Sequence, residues 1–187
     1  MNYCSHCGQT VSLSIPPGDH LPRHVCQQCG MIHYQNPKIV TGCIPEWEDK
    51  ILLCRRAIQP RLGLWTLPAG FMENNETTEQ GAARETREES RVEVEIDSLY
   101  AMFNIPHISQ VYLIFRAAML DLQYGPTDES LEVELFSEDE VPWDELAFPV
   151  VREILIRYYS DRRQGGFNLQ VGDIIPAMKT DMGNHPF

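Results

Sequence analysis

From Lys38 onwards, short apolar runs alternate with polar or Pro- and Gly-containing breaks. Lys38 to Ile44 and Lys50 to Arg55 read as strands separated by the turn-like Glu46-Trp47-Glu48-Asp49, which predicts a hairpin. A short strand is expected at Trp65-Thr66-Leu67; Pro68-Ala69-Gly70 should then stop regular pairing and allow close backbone approach. From Thr77 or Thr78 to about Ser90 the residues favour helix. Thr77 and Gln80 have capping-box spacing, and Ala82, Ala83 and Thr86 form the expected inward stripe. Strands are predicted in Val92 to Phe103, in Gln110 to Leu120 and in the alternating Glu132 to Phe136. Pro149 to Tyr159 predicts a helix with Val150, Ile154, Leu155 and Tyr158 on one side. Together these predict an α/β (α+β) class, a mixed sheet with two helices. The stretch after Gln164 shows no sustained periodicity, and a mobile tail or one packed on a partner subunit of a homodimer is expected.

The 187 residues suffice for one catalytic domain and a small appendage. The expected boundaries are 1–34, 35–163 and 164–187. With 43% hydrophobic and 22% charged residues the composition is that of a globular protein. No apolar run approaches the roughly 20 residues of a membrane helix, so no membrane partner is expected. The N-terminus lacks a basic region followed by an apolar one, so a cytoplasmic location is expected. A formal charge of −12 argues against gripping long nucleic acid through its phosphates. A small phosphate compound is compatible with it if cations held by carboxylates neutralise the phosphates.

Before Lys38, Cys4 and Cys7 form one Cys-x2-Cys pair, and Cys26 and Cys29 form another, with Gly8 and Gly30 permitting a tight turn beside each. Two such hairpins suit tetrahedral zinc. Four thiolates leave no open position, so the Zn2+ is expected to be structural. His6, His20, His24 and His33 lie nearby, but the four Cys complete a set without them, and they read as surface residues. Met1 to Tyr34 offers only Arg23 as a Lys or Arg residue, which counts against a nucleic-acid role for this ribbon. Cys43 and Cys54 sit in apolar runs and read as buried strand residues.

The predicted helix carries Glu85, Glu88 and Glu89, three and four residues apart and therefore on one face. Such crowding of like charge destabilises a helix, on the order of 0.2 to 0.5 kcal/mol per pair. A solvated acidic face eased by Arg84 and Arg87 is the plain explanation. The preceding Pro-Ala-Gly turn, whose carbonyls suit a hard cation, favours a Mg2+ or Mn2+ site instead.

This segment resembles the Nudix box, Gly-x5-Glu-x7-Arg-Glu-U-x-Glu-Glu-x-Gly-U, where U is aliphatic. Gly70, Glu76, Arg84, Glu85, Glu88, Glu89 and Val92 match at the required spacing. Thr86 replaces the first aliphatic residue, and Arg91 stands where the family's Gly ends the helix in a left-handed conformation. The resemblance covers about Pro37 to Tyr159. It implies a mixed sheet between helices, preceded here by the zinc ribbon. It also implies that Glu85, Glu88 and Glu89 bind divalent ions with the Ala69 or Gly70 carbonyl, and that an Arg84–Glu76 ion pair holds the loop to the helix.

The activity implied is hydrolysis of a pyrophosphate bond. The resemblance puts a catalytic base in the loop before a late strand, where Glu129 is favoured and Glu132 is second; an ordinary exposed Glu is the alternative for each. A ribbon before such a domain resembles bacterial NADH pyrophosphatases, but their Ser-Gln-Pro-Trp-Pro-Phe-Pro signature is replaced here by the Phe103 to Gln110 stretch. Pro106 to Phe115 and Glu138 to Phe148 look more like plant FAD and ADP-ribose pyrophosphatases. FAD or ADP-ribose is therefore expected ahead of NADH. Phe71, Tyr100, Phe103 and Tyr112 are candidates to stack on the substrate, with a core role as the alternative. An RNA-cap-directed enzyme and a non-catalytic nucleotide-sensing module are the rival functions, and the complete set of box carboxylates weighs against the sensor.

Overall fold

Successive residues of the central strands point to opposite sides of one sheet, as the two-residue repeat of a strand requires. Ile44, Ile51 and Leu53 join one buried cluster, whereas Cys43, Leu52 and Cys54 belong to two others. Both faces must therefore be covered. The computed structural model describes residues 1–176 and separates two compact units, Met1–Pro37 and the remainder from Lys38.

In the first unit, β1 (Val11–Ser14), β2 (Arg23–Cys26) and β3 (Ile32–His33) form a three-stranded sheet in that order. In the second, β4 (Lys38–Trp47), β5 (Lys50–Arg56), β6 (Trp65–Thr66) and β7 (Ala69–Phe71) lead to α1 (Thr78–Ser90). Then come β8 (Val94–Ile105), β9 (Gln110–Met119), β10 (Ser130–Phe136), α2 (Pro149–Gln164) and β11 (Gln170–Asp173). The sheet order is β10-β5-β4-β9-β8-β11, with β6 on β5 and β7 on β4. It is mixed: β4 runs parallel to β9, and β8 antiparallel to β9.

On one face α2 buries Val150, Val151, Ile154, Leu155, Tyr158 and Tyr159 against Ile44, Leu53, Trp65 and Phe103. On the other, α1 buries Ala82 and Thr86, while Ala83 is only half-buried. Thr41 Oγ1 donates to the Thr78 carbonyl at 2.7 Å, tying α1 to β4. The capping box forms: Thr77 accepts from the Gln80 N–H, and the Gln80 side chain accepts from the Thr77 N–H. The layers are those expected, a mixed sheet between helices.

Three local expectations are corrected. Ala69 to Phe71 does pair, because β7 lies antiparallel on β4 with Gly70 opposite Thr41; Pro68 precedes the strand, so every paired residue keeps its N–H. The hairpin turn is shorter than Glu46 to Asp49: Glu46 and Trp47 pair with Ile51 and Lys50, and Glu48 takes a positive φ. The stretch after Gln164 contributes β11, which lies parallel to β8 from Gln170–Ala101 to Asp173–Asn104. A four-residue strand at a sheet edge is too short to show a period. The remainder of the expected tail, 177–187, lies outside the described residues.

Candidate active site

Two segments meet at the site because β7 and α1 both pack on β4. The end of β7 lies beside the inner face of α1, and the approach is close enough to demand glycine. A Cβ on Gly70 would fall 2.2 Å from Glu85 Oε2. Glu85 and Glu89 are both buried, at 9% and 6% exposure. The Ala69 backbone N–H lies near Glu89 and works to lower its carboxyl. Glu88, one turn from Glu85, is open to solvent.

Arg84 organises this corner. Its Nε and Nη2 donate to Glu76 Oε2 and Oε1 at 3.0 and 2.8 Å, and Nη2 also donates to the Phe71 carbonyl at 3.2 Å. Its Nη1 bridges Glu85 Oε1 at 2.8 Å and Glu88 Oε2 at 3.0 Å. Glu76 also accepts from the Glu73 N–H, so the loop between β7 and α1 is held at both ends.

Burial and the neighbouring Glu85 carboxylate push the Glu89 carboxyl up to about 8, and burial raises Glu85 as well. Two buried carboxylates side by side, with Arg84 bonded to Glu85 and Arg56 acting on Glu89 by charge alone, form an undercompensated cluster, the environment that a divalent cation relieves. The oxygen-only donor set suits a hard ion such as magnesium or manganese. Glu85 and Glu89, with the exposed Glu88 on the same helix, offer carboxylate chemistry of the kind such an ion takes.

The site opens into a cleft of about 1010 Å³. Phe71 and Tyr112 both line it, as does Glu129. Phe71 is 48% exposed, with the Lys38 ammonium 4.7 Å above its ring. Glu129 is exposed, and its charge contributes to raising both Glu85 and Glu89. Glu132, the second choice for the base, is engaged elsewhere, accepting from Arg55 Nη1 at 2.7 Å. Tyr100 and Phe103 are removed as stacking candidates, since they are 1% and 0% exposed in the core.

Arg56 and Phe148 are among the cleft residues that local sequence did not single out. Arg56, at the end of β5, lines the cleft beside Glu89 and Tyr112, and its guanidinium lies 5.2 Å from the Phe148 ring centroid. Its neighbour Arg55 bonds Glu132 and the Gly63 carbonyl instead. The adjacent pair Arg55-Arg56 signalled two directions, but only the sheet decides which one meets the acidic corner. Phe148 immediately precedes α2, and nothing in its local sequence marks it as a cleft residue.

In the first unit, Cys4, Cys7, Cys26 and Cys29 bring their sulfurs within 4.8 Å of one another, and all four are free thiols. Cys4 Sγ lies 3.7 Å from Cys29 Sγ, and Cys7 Sγ lies 3.5 Å from Cys26 Sγ. The backbone N–H groups of Cys29 and Gln28 help lower the Cys26 thiol, while its hydrogen-bonded neighbour Cys7 is raised. His33 Nε2 sits 3.3 Å from Cys4 Sγ, against the quartet and outside it.

Known proteins agree with this architecture. Residues 2–35 match the family described as Nudix N-terminal, and residues 36–158 match the NUDIX domain. The ADP-ribose pyrophosphatase of Methanocaldococcus jannaschii is 30% identical over 138 residues, 71% of this chain and 78% of that protein. The NAD-capped RNA hydrolase NudC of Pseudomonas aeruginosa is 31% identical over 169 residues, 87% of this chain; the chain spans 57% of that relative's length. A crystal structure of a NUDIX hydrolase from Nitrosomonas europaea is 58% identical, with a TM-score of 0.88, covering 93% of this chain and 100% of that one. On these matches and on the fold, the chain belongs to the NUDIX hydrolase family, with a Nudix N-terminal segment ahead of the NUDIX domain.

Proposed function

We propose that this protein is a divalent-metal-dependent pyrophosphohydrolase that splits the diphosphate of a nucleoside diphosphate linked to a second group, with ADP-ribose first among its substrates. The observation that carries the reading is the buried Glu85–Glu89 pair, with Glu85 against Gly70 of β7 and Glu88 exposed on the same helix, in a cleft that also presents Arg56. The M. jannaschii relative, named for ADP-ribose, supports the choice of substrate. FAD has no such support among the relatives compared and stands behind it.

Glu85, Glu88 and Glu89, with the Ala69 or Gly70 carbonyl, would hold magnesium or manganese. That metal supplies charge neutralisation on the diphosphate and a more acidic water. Arg84 orients Glu85 and Glu88 from behind, and Glu76 fixes Arg84. Arg56 places a positive charge on the phosphoryl oxygens and helps exclude water by packing on Phe148. Glu129 accepts the proton as the water oxygen bonds to phosphorus. The P–O anhydride bond then breaks, and ADP-ribose yields AMP and ribose 5-phosphate. In the first unit, four cysteinates would bind structural zinc, leaving it no position for substrate.

A second reading, hydrolysis of NAD-capped RNA, is favoured by the NudC match, which extends through 87% of this chain. The chemistry would be the same. The ribbon's lone Arg, Arg23, is already paired with Asp19 at 2.9 Å and packed over Tyr34, so the ribbon offers no free Lys or Arg side chain to an RNA chain.

The test is a hydrolysis panel of ADP-ribose, FAD, NADH and NAD-capped RNA with magnesium or manganese. AMP release from ADP-ribose at the highest kcat/KM is the expected result. Higher efficiency on capped RNA would establish the second reading, and no turnover of any compound by folded, metal-supplied protein would leave a nucleotide-binding module.

A further inference from the structure

The strand that the sequence did not announce ends in the cleft. β11 is anchored by its backbone and from two sides. The Ile174 N–H donates to the Asn104 carbonyl at 2.8 Å, and Asn104 Nδ2 donates to Asp173 Oδ1 at 2.9 Å. From α2, Asp161 Oδ2 accepts from Gln170 Nε2 at 2.9 Å, and Arg157 Nη1 reaches the Val171 carbonyl while its guanidinium lies over the Phe103 ring. Gly172 completes the seating: a Cβ there would fall 2.7 Å from the Phe103 ring, so a larger residue would push the strand away from β8.

This anchoring ends at the Ile174 N–H; Ile174 and the two residues that follow it, Ile175 and Pro176, line the same cleft as Glu85, Glu89 and Arg56. Ile174 turns inward onto the core, whereas Ile175 stays 73% exposed. A large apolar side chain at that exposure, two residues beyond the end of β11, loses water contact only when something covers it. The three residues carry no charge and have no use for a diphosphate, which the carboxylate corner and Arg56 accommodate. Together with Ile105 and Ile108 they make an apolar wall suited to a flat, uncharged ring.

Resting on the hydrolase reading above, we propose that Ile174–Pro176 is the specificity wall of the cleft, with Ile175 the side chain that the substrate's nucleobase covers. The segment acts on binding and leaves the chemical step alone, because it touches none of the reacting groups.

The experiment compares wild type with Ile175→Asn, Ile175→Leu and Gly172→Val, using ADP-ribose as substrate and the two product halves, AMP and ribose 5-phosphate, as inhibitors. Ile175→Asn should raise KM about tenfold with kcat within about twofold, the size of effect one apolar contact carries. It should weaken inhibition by AMP to the same degree and leave ribose 5-phosphate, which has no base, unaffected. Ile175→Leu should behave as wild type, and Gly172→Val, with the strand displaced, should resemble Ile175→Asn. Unchanged KM and AMP inhibition in Ile175→Asn, or equal weakening of both inhibitors, overturns the inference while wild-type turnover upholds the hydrolase reading. Wild-type protein that neither hydrolyses ADP-ribose nor responds to AMP overturns both.

Discussion

Arg84 and Glu76 meet in a two-point ion pair, with Nη2 2.8 Å from Oε1 and Nε 3.0 Å from Oε2, and neither side chain is more than 18% exposed. The pair spans eight residues and closes the loop between β7 and α1 onto the helix. Its removal should be felt in both stability and turnover.

Glu76→Gln should lower stability by about 2 kcal/mol, the usual size for a hydrogen bond to a charged group. The loss should depend on pH with a definite sign. Arg84 holds the Glu76 carboxyl down to about 2 from its ordinary 4.5. A depressed acid contributes fully above its unfolded pKa and loses that contribution as pH falls through the folded one. Urea unfolding should therefore show the full gap between wild type and variant at pH 6 and a narrowing gap from about pH 4.5 down towards pH 3. A gap constant over that range would contradict the ion-pair account.

Glu89→Gln should remove activity and spare the fold. Turnover of ADP-ribose should drop at least about a hundredfold, as when a preorganised charge-handling group is deleted. The metal-free variant should melt no lower than wild type, since it relieves a buried carboxylate pressed against Glu85. Near-normal turnover would refute a metal-binding role, and a large fall in Tm would show that Glu89 is structural.

The six cysteines should divide by reactivity. Burial raises the Cys43 thiol to about 12 and lifts Cys54 well above its ordinary value, so neither should react with an alkylating reagent in folded protein. The four ribbon thiols should be protected by zinc and become reactive when a chelator removes it. Mass spectrometry should find no adduct on folded protein before chelation and four after. Four adducts on freshly reduced, untreated protein would mean that the quartet holds no metal.

Arg91 ends α1 at φ 69 and ψ 0, donating its N–H to the Arg87 carbonyl. It thus adopts the left-handed turn that Gly normally makes, and bears the strain of a Cβ there. Arg91→Gly should raise stability by about 0.5 to 1 kcal/mol in thermal or chemical unfolding. A destabilised variant would show that contacts of the arginine side chain outweigh the backbone strain.

Local pattern specifies what depends on near neighbours. The capping box at Thr77 and Gln80, the shared face of Glu85, Glu88 and Glu89, the two Cys-x2-Cys hairpins and most strands are set within a few residues of one another, where helix and strand periods act directly. Even so, the alternation of β4 and β5 shows two buried faces without showing what covers them.

Tertiary structure decides whatever depends on residues far apart in the chain. Gly70 matters because β7 returns to Glu85, and Arg56 reaches the acidic corner because β5 ends beside it. Glu132 is lost to Arg55 because β10 pairs with β5. β11, too short and too exposed to show a period, becomes a strand only because β8 offers it an open edge. Helix and strand propensities are short-ranged, whereas the walls of a cleft are brought together by long-range sheet pairing. The sequence therefore determined the family and the acidic chemistry, and the fold alone determined what surrounds them.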